Sequence, residues 1–202
     1  MTVAATTELQ AINIMMAAIG ETPINTLTGT LPADIVMAQS TLTEVNKDVQ
    51  SEGWSFNTEI DVTLTRDGSN HINLPTDILR VDANIHQHPT IDPIQRGLKL
   101  YDRQNNKFNF DEDLICTIVY LRKFDEIPEP ARRYMTIKAA RVFVDRLVGD
   151  QGLRTYTEQD EIRARAILME TDYANADHNL LRGDPSLTNI FDTYNPSSAL
   201  IR

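Results

Sequence analysis

Apolar residues recur at every third or fourth position through the first fifty residues of the chain, which is the period of an amphipathic helix. A first helix is predicted from about Thr7 to Ile19, with Thr6 or Thr7 as its cap because a hydroxyl can accept from the first free amides. A second helix is predicted to begin near Pro32, since proline is favoured in a first helical turn. Its apolar positions are Ile35, Ala38, Leu42, Val45 and Val49.

A third helix, predicted from about Glu129 to Gly149, is apolar around about two-thirds of its circumference. Its apolar residues are Met135, Ile137, Ala139, Ala140, Val142, Phe143, Val144, Leu147 and Val148. We expect the excess apolar surface to contact a neighbouring subunit. The alternative is a central helix that its own chain encloses on all sides.

A fourth helix is predicted from about Thr155 to Leu181, again from apolar residues at helical spacing. These residues are Ile162, Ala166, Met169, Tyr173, Ala176 and Leu180. Glu161 and Arg165 are four positions apart and are predicted to support the helix as an ion pair.

Between the second and third helices, from about Phe56 to Phe124, the period of apolar residues changes to two, which is typical of strands. Ile60, Val62 and Leu64 predict one strand, and a turn at residues 66–69 predicts that the segment around Ile72 returns beside it as a hairpin. Further strands are predicted around residues 79–85, 98–101 and 108–110. Residues 114–121 are apolar on both faces and should form the central strand.

These patterns predict an α+β fold in which a four-helix bundle lobe is formed by residues 1–55 and 125–181. An antiparallel β lobe, residues 56–124, is inserted between helices two and three. Residues 182–202 form an extended C-terminal tail that is too apolar for a solvated linker. We expect the tail to dock on a partner through Leu187, Ile190, Phe191, Tyr194, Leu200 and Ile201.

The charges are unevenly distributed along this acidic chain, which has 29 acids, 19 bases and a net charge of −10. Residues 1–53 contain six acids and one base, whereas residues 129–149 contain five bases and two acids. Opposite signs indicate that these helices meet, within one subunit or between neighbours. We therefore expect a subunit interface on the third helix at Arg133, Ile137, Ala140, Arg141, Val144 and Val148.

Candidate chemistry is sparse, and we expect no catalytic, cofactor-binding or metal site. Cys116 lies in the predicted central strand and is expected to be an inert small hydrophobe. His86 and His88 lack a third ligand close in sequence. We expect no leader and no membrane span, because no charged-then-apolar start and no sufficiently long apolar stretch are seen. Alternatives are a glycan hydrolase using paired carboxylates, with residues 111–113 as candidates, and a DNA-binding packaging factor. The acidic balance disfavours the packaging factor.

Five short motifs occur in a fixed order along the chain. They are Ile19-Gly20-Glu21-Thr22-Pro23-Ile24, Gly53-Trp54-Ser55-Phe56-Asn57, Leu74-Pro75-Thr76-Asp77, Tyr101-Asp102-Arg103 and Arg122-Lys123-Phe124-Asp125-Glu126-Ile127-Pro128-Glu129. Together they resemble the tail tubular protein A family of short-tailed bacteriophages, from roughly Leu9 to Asn179.

The resemblance implies a structural, non-enzymatic virion protein at the junction of head and tail, assembled in the host cytoplasm. It implies a ring of twelve subunits that binds the portal protein on one side and the tubular nozzle protein on the other. Tail fibres would be held near the nozzle junction. Double-stranded DNA would pass through the centre without specific binding, and the apolar tail would dock on the portal or on a neighbouring subunit.

A channel through which DNA slides should contain few basic contacts, because each phosphate paired with Lys or Arg adds attraction that passage must break. We therefore expect the purified protein to show no salt-sensitive duplex binding at physiological ionic strength. The measurement is fluorescence anisotropy of a labelled duplex between about 50 and 200 mM salt, with a basic DNA-binding domain as the positive control. Tight binding that weakens steeply with salt would contradict this prediction.

Overall fold

The computed structural model of the chain describes residues 5–147 and 158–175. Helices and antiparallel strands occur together, which confirms the predicted α+β class. The helices are α1 (Glu8–Ala18), α2 (Ala33–Ser51), α3 (Glu129–Leu147) and α4 (Glu158–Asn175), and a 3-10 turn covers Phe124–Glu126. The strands are β1 (Thr58–Leu64), β2 (Ile78–Ala83), β3 (Pro93–Arg96), β4 (Lys99–Asp102) and β5 (Leu114–Tyr120).

The first helix begins and ends where its sequence signals predict. The Thr7 hydroxyl accepts from the backbone N–H of Gln10 at 3.2 Å, and the Gln10 side chain accepts from the Thr7 N–H at 2.9 Å, so the two residues form a capping box. At the other end Gly20 has φ +81°, and the N–H of Glu21 donates to the carbonyl of Met16 at 3.0 Å. A left-handed residue at this position favours glycine and redirects the chain towards α2.

The third helix is the centre of the helical core, since α1, α2 and α4 all pack against it. Ile137, Ala140 and Val144 are at most 5% exposed in the isolated chain. The expectation of an apolar surface left over for a neighbouring subunit is therefore wrong for these three residues, because three helices of the same chain pack on α3, whereas Leu147 at the end of α3 is 36% exposed. Of the predicted interface set, Arg133 is exposed and Arg141 is half-buried, while Val148 lies outside the described residues.

Opposite charges on the helices meet within one subunit. Lys138 of α3 pairs with Asp48 of α2, and Arg146 of α3 holds Glu44 of α2 with two contacts of 2.8 and 2.9 Å. Water screens both pairs, because the Asp48 and Glu44 side chains are largely exposed. The pairs therefore orient α2 on α3 more than they stabilise the fold.

The fourth helix is rotated relative to the prediction. Ala164 and Leu168 are its buried side chains, whereas Ile162 and Tyr173 of the predicted apolar line are 60% and 63% exposed. Glu161 and Arg165 do not support each other as predicted, because Glu161 binds Arg141 of α3 and Arg165 binds Glu52 beyond α2. These cross-helix ion pairs, together with Leu168 in the core, set the rotation. The last two residues of the predicted line, Ala176 and Leu180, lie outside the described residues.

The larger sheet has the order β1-β5-β2, with both outer strands antiparallel to β5. This confirms residues 114–120 as a central strand. The second sheet is the hairpin of β3 and β4, in which Ile94 faces Tyr101. Buried side chains of the strands and of the segments between them form a second hydrophobic cluster that includes Leu100, Phe110 and Ile118.

The predicted hairpin between β1 and the segment around Ile72 is wrong. The turn itself is present, because the Asp67 carboxylate accepts from the N–H groups of Ser69 and His71. The returning segment then bridges Asn73 to Lys99 of β4 rather than pairing with β1. Burial of Ile72 in the sheet cluster explains this path, since its side chain is fully buried there.

A bulge in β1 changes which of its apolar residues face the core. Asp61 has φ +56°, and the register with β5 shifts between Glu59 and Val62. As a result Ile60 is exposed, whereas Val62 and Leu64 pack against the sheet cluster. Simple alternation predicts all three on one face, and the extra residue of a bulge breaks that alternation.

Because Val144 is 2% exposed, the change Val144→Asp should unfold the subunit rather than only prevent its assembly. Burying an uncompensated carboxylate should lower the free energy of unfolding by more than about 3 kcal/mol. The matched control on the same helix is Arg133→Glu, which should change it by less than about 0.5 kcal/mol because the side chain is exposed. Urea denaturation measures both. A stable Val144→Asp monomer that fails to assemble would restore α3 as the subunit interface.

Candidate functional site

The motif at residues 53–57 follows α2 in the chain and makes contact with α4. Gly53 has φ +81°, a backbone conformation that favours glycine, and a Cβ there would also displace the guanidinium of Arg80. The next residue, Trp54, is buried and its indole N–H donates to the carbonyl of Val49 at 2.8 Å. Ser55 donates from its backbone N–H to the carboxylate of Asp172 on α4 at 2.8 Å. The loop thereby holds the C-terminal half of α4.

Arg165 of α4 is the charged centre of this contact. Its guanidinium binds the Glu52 carboxylate at 2.6 and 3.1 Å and donates to the Tyr134 hydroxyl of α3 at 3.1 Å. It also lies 5.9 Å from the centroid of the Trp54 ring. The hydrogen bond to Glu52 raises the pKa of Arg165 further above its usual range, so the cation is permanent. One side chain therefore ties α4 to both α2 and α3.

A groove of about 410 Å³ runs beside this contact, between the end of α2 and the C-terminal half of α4. Trp54, Met169 and Tyr173 supply its apolar lining. Met169 and Tyr173 continue in line with Ile162 and Ala166 along the outer side of α4, and all four are exposed. We call these four residues the α4 stripe. Its spacing of four, three and four residues is the spacing with which one helix packs on another element.

A second exposed apolar surface lies on the β3–β4 hairpin. The Tyr101 ring contacts the Phe108 ring edge-on, with centroids 4.9 Å apart, and the Arg96 guanidinium lies 3.5 Å above the Tyr101 ring. Ile94 is opposite Tyr101 in the hairpin register. Ile94 and Phe108 are both exposed. We call Ile94, Arg96, Tyr101 and Phe108 the hairpin face.

The motif at residues 101–103 forms the turn that ends the hairpin. Asp102 is buried, and its carboxylate accepts from the N–H groups of Asp92, Gln104 and Asn105 and from the Asn105 side chain. Burial alone would raise the pKa of Asp102, but these hydrogen bonds outweigh it and lower the pKa below its usual value. Asp102 is therefore an ionised structural residue that holds Tyr101 in the hairpin face.

The histidines do not form a metal pair. His88 is buried, its Nε2 accepts from the Ile115 N–H at 3.0 Å, and its Nδ1 is 2.7 Å from the Glu112 carboxylate. His86 is exposed and makes no ligand pair with it. Within residues 5–147 and 158–175, no group of three or more His, Cys, Asp and Glu side chains is arranged to hold a metal ion. His88 instead anchors its loop to the start of β5.

In the acidic run at residues 111–113, Asp111 and Asp113 do not have the raised pKa of a glycosidase acid. Asp111 binds Lys107 at 2.8 Å and Asp113 binds Arg66 at 3.2 Å. The hydrogen bond from Lys107 lowers the pKa of Asp111, and hydrogen bonds from the backbone and side chain of Arg66 lower the pKa of Asp113. A general acid needs a raised pKa, so these two carboxylates suit ion pairing rather than proton donation.

Cys116 is fully buried in β5, and burial raises the pKa of its thiol to about 12. The thiolate needed for nucleophilic chemistry is therefore scarce at neutral pH. Among the described helices, none combines the length and the apolar character that a membrane span requires. The α4 stripe and the hairpin face are the exposed apolar surfaces described above, and they are the candidate binding sites of the described residues.

The structure brings together only part of the predicted binding surfaces. The predicted docking residues Leu187, Ile190, Phe191, Tyr194, Leu200 and Ile201 lie outside the described residues. The sequence predicts that the four residues of the α4 stripe lie in one line on the helix, and they do. The sequence does not reveal that this line faces outward. The hairpin face was missed, and the signal for it is the pairing of Ile94 with Tyr101 on either side of the turn at Gly97.

A family model described as tail tubular protein matches residues 9–178, which is most of the chain. No curated protein matches it. The chain belongs to the tail tubular protein family and is a structural component of a phage tail.

Proposed function

We propose that this protein is the ring-forming adaptor that joins the portal to the tail nozzle and forms part of the channel through which DNA is ejected. The observation that carries the proposal is the family match over residues 9–178. The tail fibres attach near the nozzle junction, and the protein is not an enzyme. It is assembled in the host cytoplasm and remains in the virion at the head-tail junction.

The charge of the chain supports a channel role. A net charge of −10 gives little attraction for phosphates. Several of its bases are already paired with acids of the same subunit, as Lys138 is with Asp48 and Arg146 with Glu44. Double-stranded DNA therefore passes through the ring without specific binding.

The subunit is organised in two lobes and a tail. Residues 1–55 and 125–181 form the helical bundle lobe, residues 56–124 form the β lobe, and residues 182–202 form the docking tail. Two separate clusters of buried side chains support this division, one among the helices and one among the strands. On α3, Arg133 is the exposed member of the predicted interface set, so we assign it to the edge of the subunit boundary rather than its centre.

A ring of twelve subunits should have about twelve times the 22.8 kDa mass of the chain. We expect this mass for the purified protein alone, or the same increase over the mass of portal after mixing, because the adaptor must match a ring-shaped partner. Native mass spectrometry measures it directly, with portal alone as the control. A protein that stays monomeric in both conditions and does not bind portal would contradict the adaptor role.

The tail supplies a second test, because its apolar residues need a partner to bury them. Deletion of residues 184–202 should leave the helix content and thermal unfolding of the subunit nearly unchanged but abolish stable attachment to portal. Circular dichroism checks the fold, and sedimentation with portal checks attachment. A variant in which Leu187 and Phe191 alone become Ser is the matched control for chain length. Portal binding of the truncated protein at the wild-type level would show that the tail is not the docking segment.

A further inference from the structure

The α4 stripe and the hairpin face are two exposed apolar surfaces on different parts of the chain. The stripe lies on the side of α4 opposite its buried residues, Ala164 and Leu168. Ile162 and Tyr173 are 60% and 63% exposed. The groove lined by Trp54, Met169 and Tyr173 opens beside the stripe. A continuous line of exposed apolar side chains is unfavourable in water, and burying it against another protein surface would be favourable.

The two surfaces carry opposite charge. Residues 94–108, which contain the hairpin face, have four bases against one acid, for a balance of +3. Residues 158–175 of α4 have five acids against two bases, for a balance of −3. Charges of opposite sign around apolar surfaces favour one orientation of contact and disfavour like-with-like pairing.

The charged residues nearest to the apolar side chains also differ in sign between the two surfaces. Arg96, over the Tyr101 ring, and Lys99, 3.3 Å from His71 Nδ1, are exposed and have no carboxylate partner among the described residues, whereas Arg103 and Lys107 bind Asp92 and Asp111. On α4 the exposed Glu158 lies one turn before Ile162, and the exposed Glu170 lies one turn after Ala166. Arg163 also lies at the edge of the stripe, so the local balance there is a single negative charge rather than the full −3.

We infer that the α4 stripe of one subunit packs against the hairpin face of a second copy of this chain. This inference rests on the proposed ring, and it names the surfaces that would join its subunits. The two surfaces are different, so the contact is head-to-tail, and a head-to-tail contact repeated around an axis closes into a ring when its rotation permits. The apolar residues supply the burial, while the exposed acids and bases select the orientation.

The contact is tested by reversing the charges on each side. One variant carries Arg96→Glu and Lys99→Glu, a second carries Glu158→Lys and Glu170→Lys, and a third carries all four changes. Each two-site variant should lower ring formation on the order of tenfold, and the four-site variant should recover most of it because the charges again match. Mass photometry in low salt, alone and with portal, measures the ring fraction.

A matched pair of apolar changes tests the packing itself. Ile162→Glu should prevent ring formation, whereas Val36→Glu, at a site 52% exposed on α2, should not. Circular dichroism and thermal unfolding check that each variant remains folded. If a two-site variant unfolds, the comparison of Ile162→Glu with Val36→Glu decides the contact.

The outcomes separate this contact from the proposed function. Wild-type rings with two-site variants that assemble equally well overturn the contact and leave the adaptor role intact, as does a four-site variant that stays dissociated although folded. Rings that are insensitive to Ile162→Glu but are lost when residues 184–202 are deleted would overturn the contact and show that the tail, not the stripe, joins the subunits. Wild-type protein that forms no ring with or without portal overturns both proposals.

Discussion

The fold depends on two fully buried side-chain amides, Gln50 and Asn57, at the point where the helices meet the sheet. Gln50 donates to the carbonyl of Arg122 and accepts from its N–H, both at 2.8 Å, so it binds the chain as a neighbouring strand would. Asn57 donates to the carbonyls of Gln50 and Tyr120 and accepts from the N–H of Trp54 at 2.8 Å. A buried amide without its partners costs about 1 to 3 kcal/mol, so this set of bonds permits one arrangement of the segments that leave and re-enter the helical core.

The position of α4 follows from that junction. The hydrogen bond that the Trp54 N–H donates to Asn57 shapes the turn after Gly53. In this turn Ser55 contacts Asp172, and Glu52 contacts Arg165. The ends of α2 and α4 are thereby held together without a large apolar contact between them. Because the rotation of α4 is set by these polar contacts and by Leu168 in the core, its remaining apolar residues are left facing outward.

Features that depend on local chemistry could be predicted from the sequence, whereas features that depend on distant partners could not. The cap at Thr7, the buried line of α2 and the central position of β5 follow from hydroxyl placement, helical period and apolar content, and the structure contains all three. The exposed α4 stripe has the same period as the buried line of α2, so the period alone cannot show which of them faces water. A single bulge at Asp61 and the binding of His88 to a distant backbone N–H leave no periodic signal at all.

The enclosure of α3 limits where a tail subunit can contact its neighbours. An apolar helix can supply burial either to its own subunit or to an assembly, and here Ile137, Ala140 and Val144 are already used within the subunit. The subunit can therefore fold before it assembles, because its core does not wait for a partner. Surfaces for assembly must then be built from residues that the core does not need, and such residues must be tolerable in water until a partner arrives. The α4 stripe and the hairpin face meet that condition, since charged side chains border both surfaces and the Arg96 guanidinium lies over the Tyr101 ring.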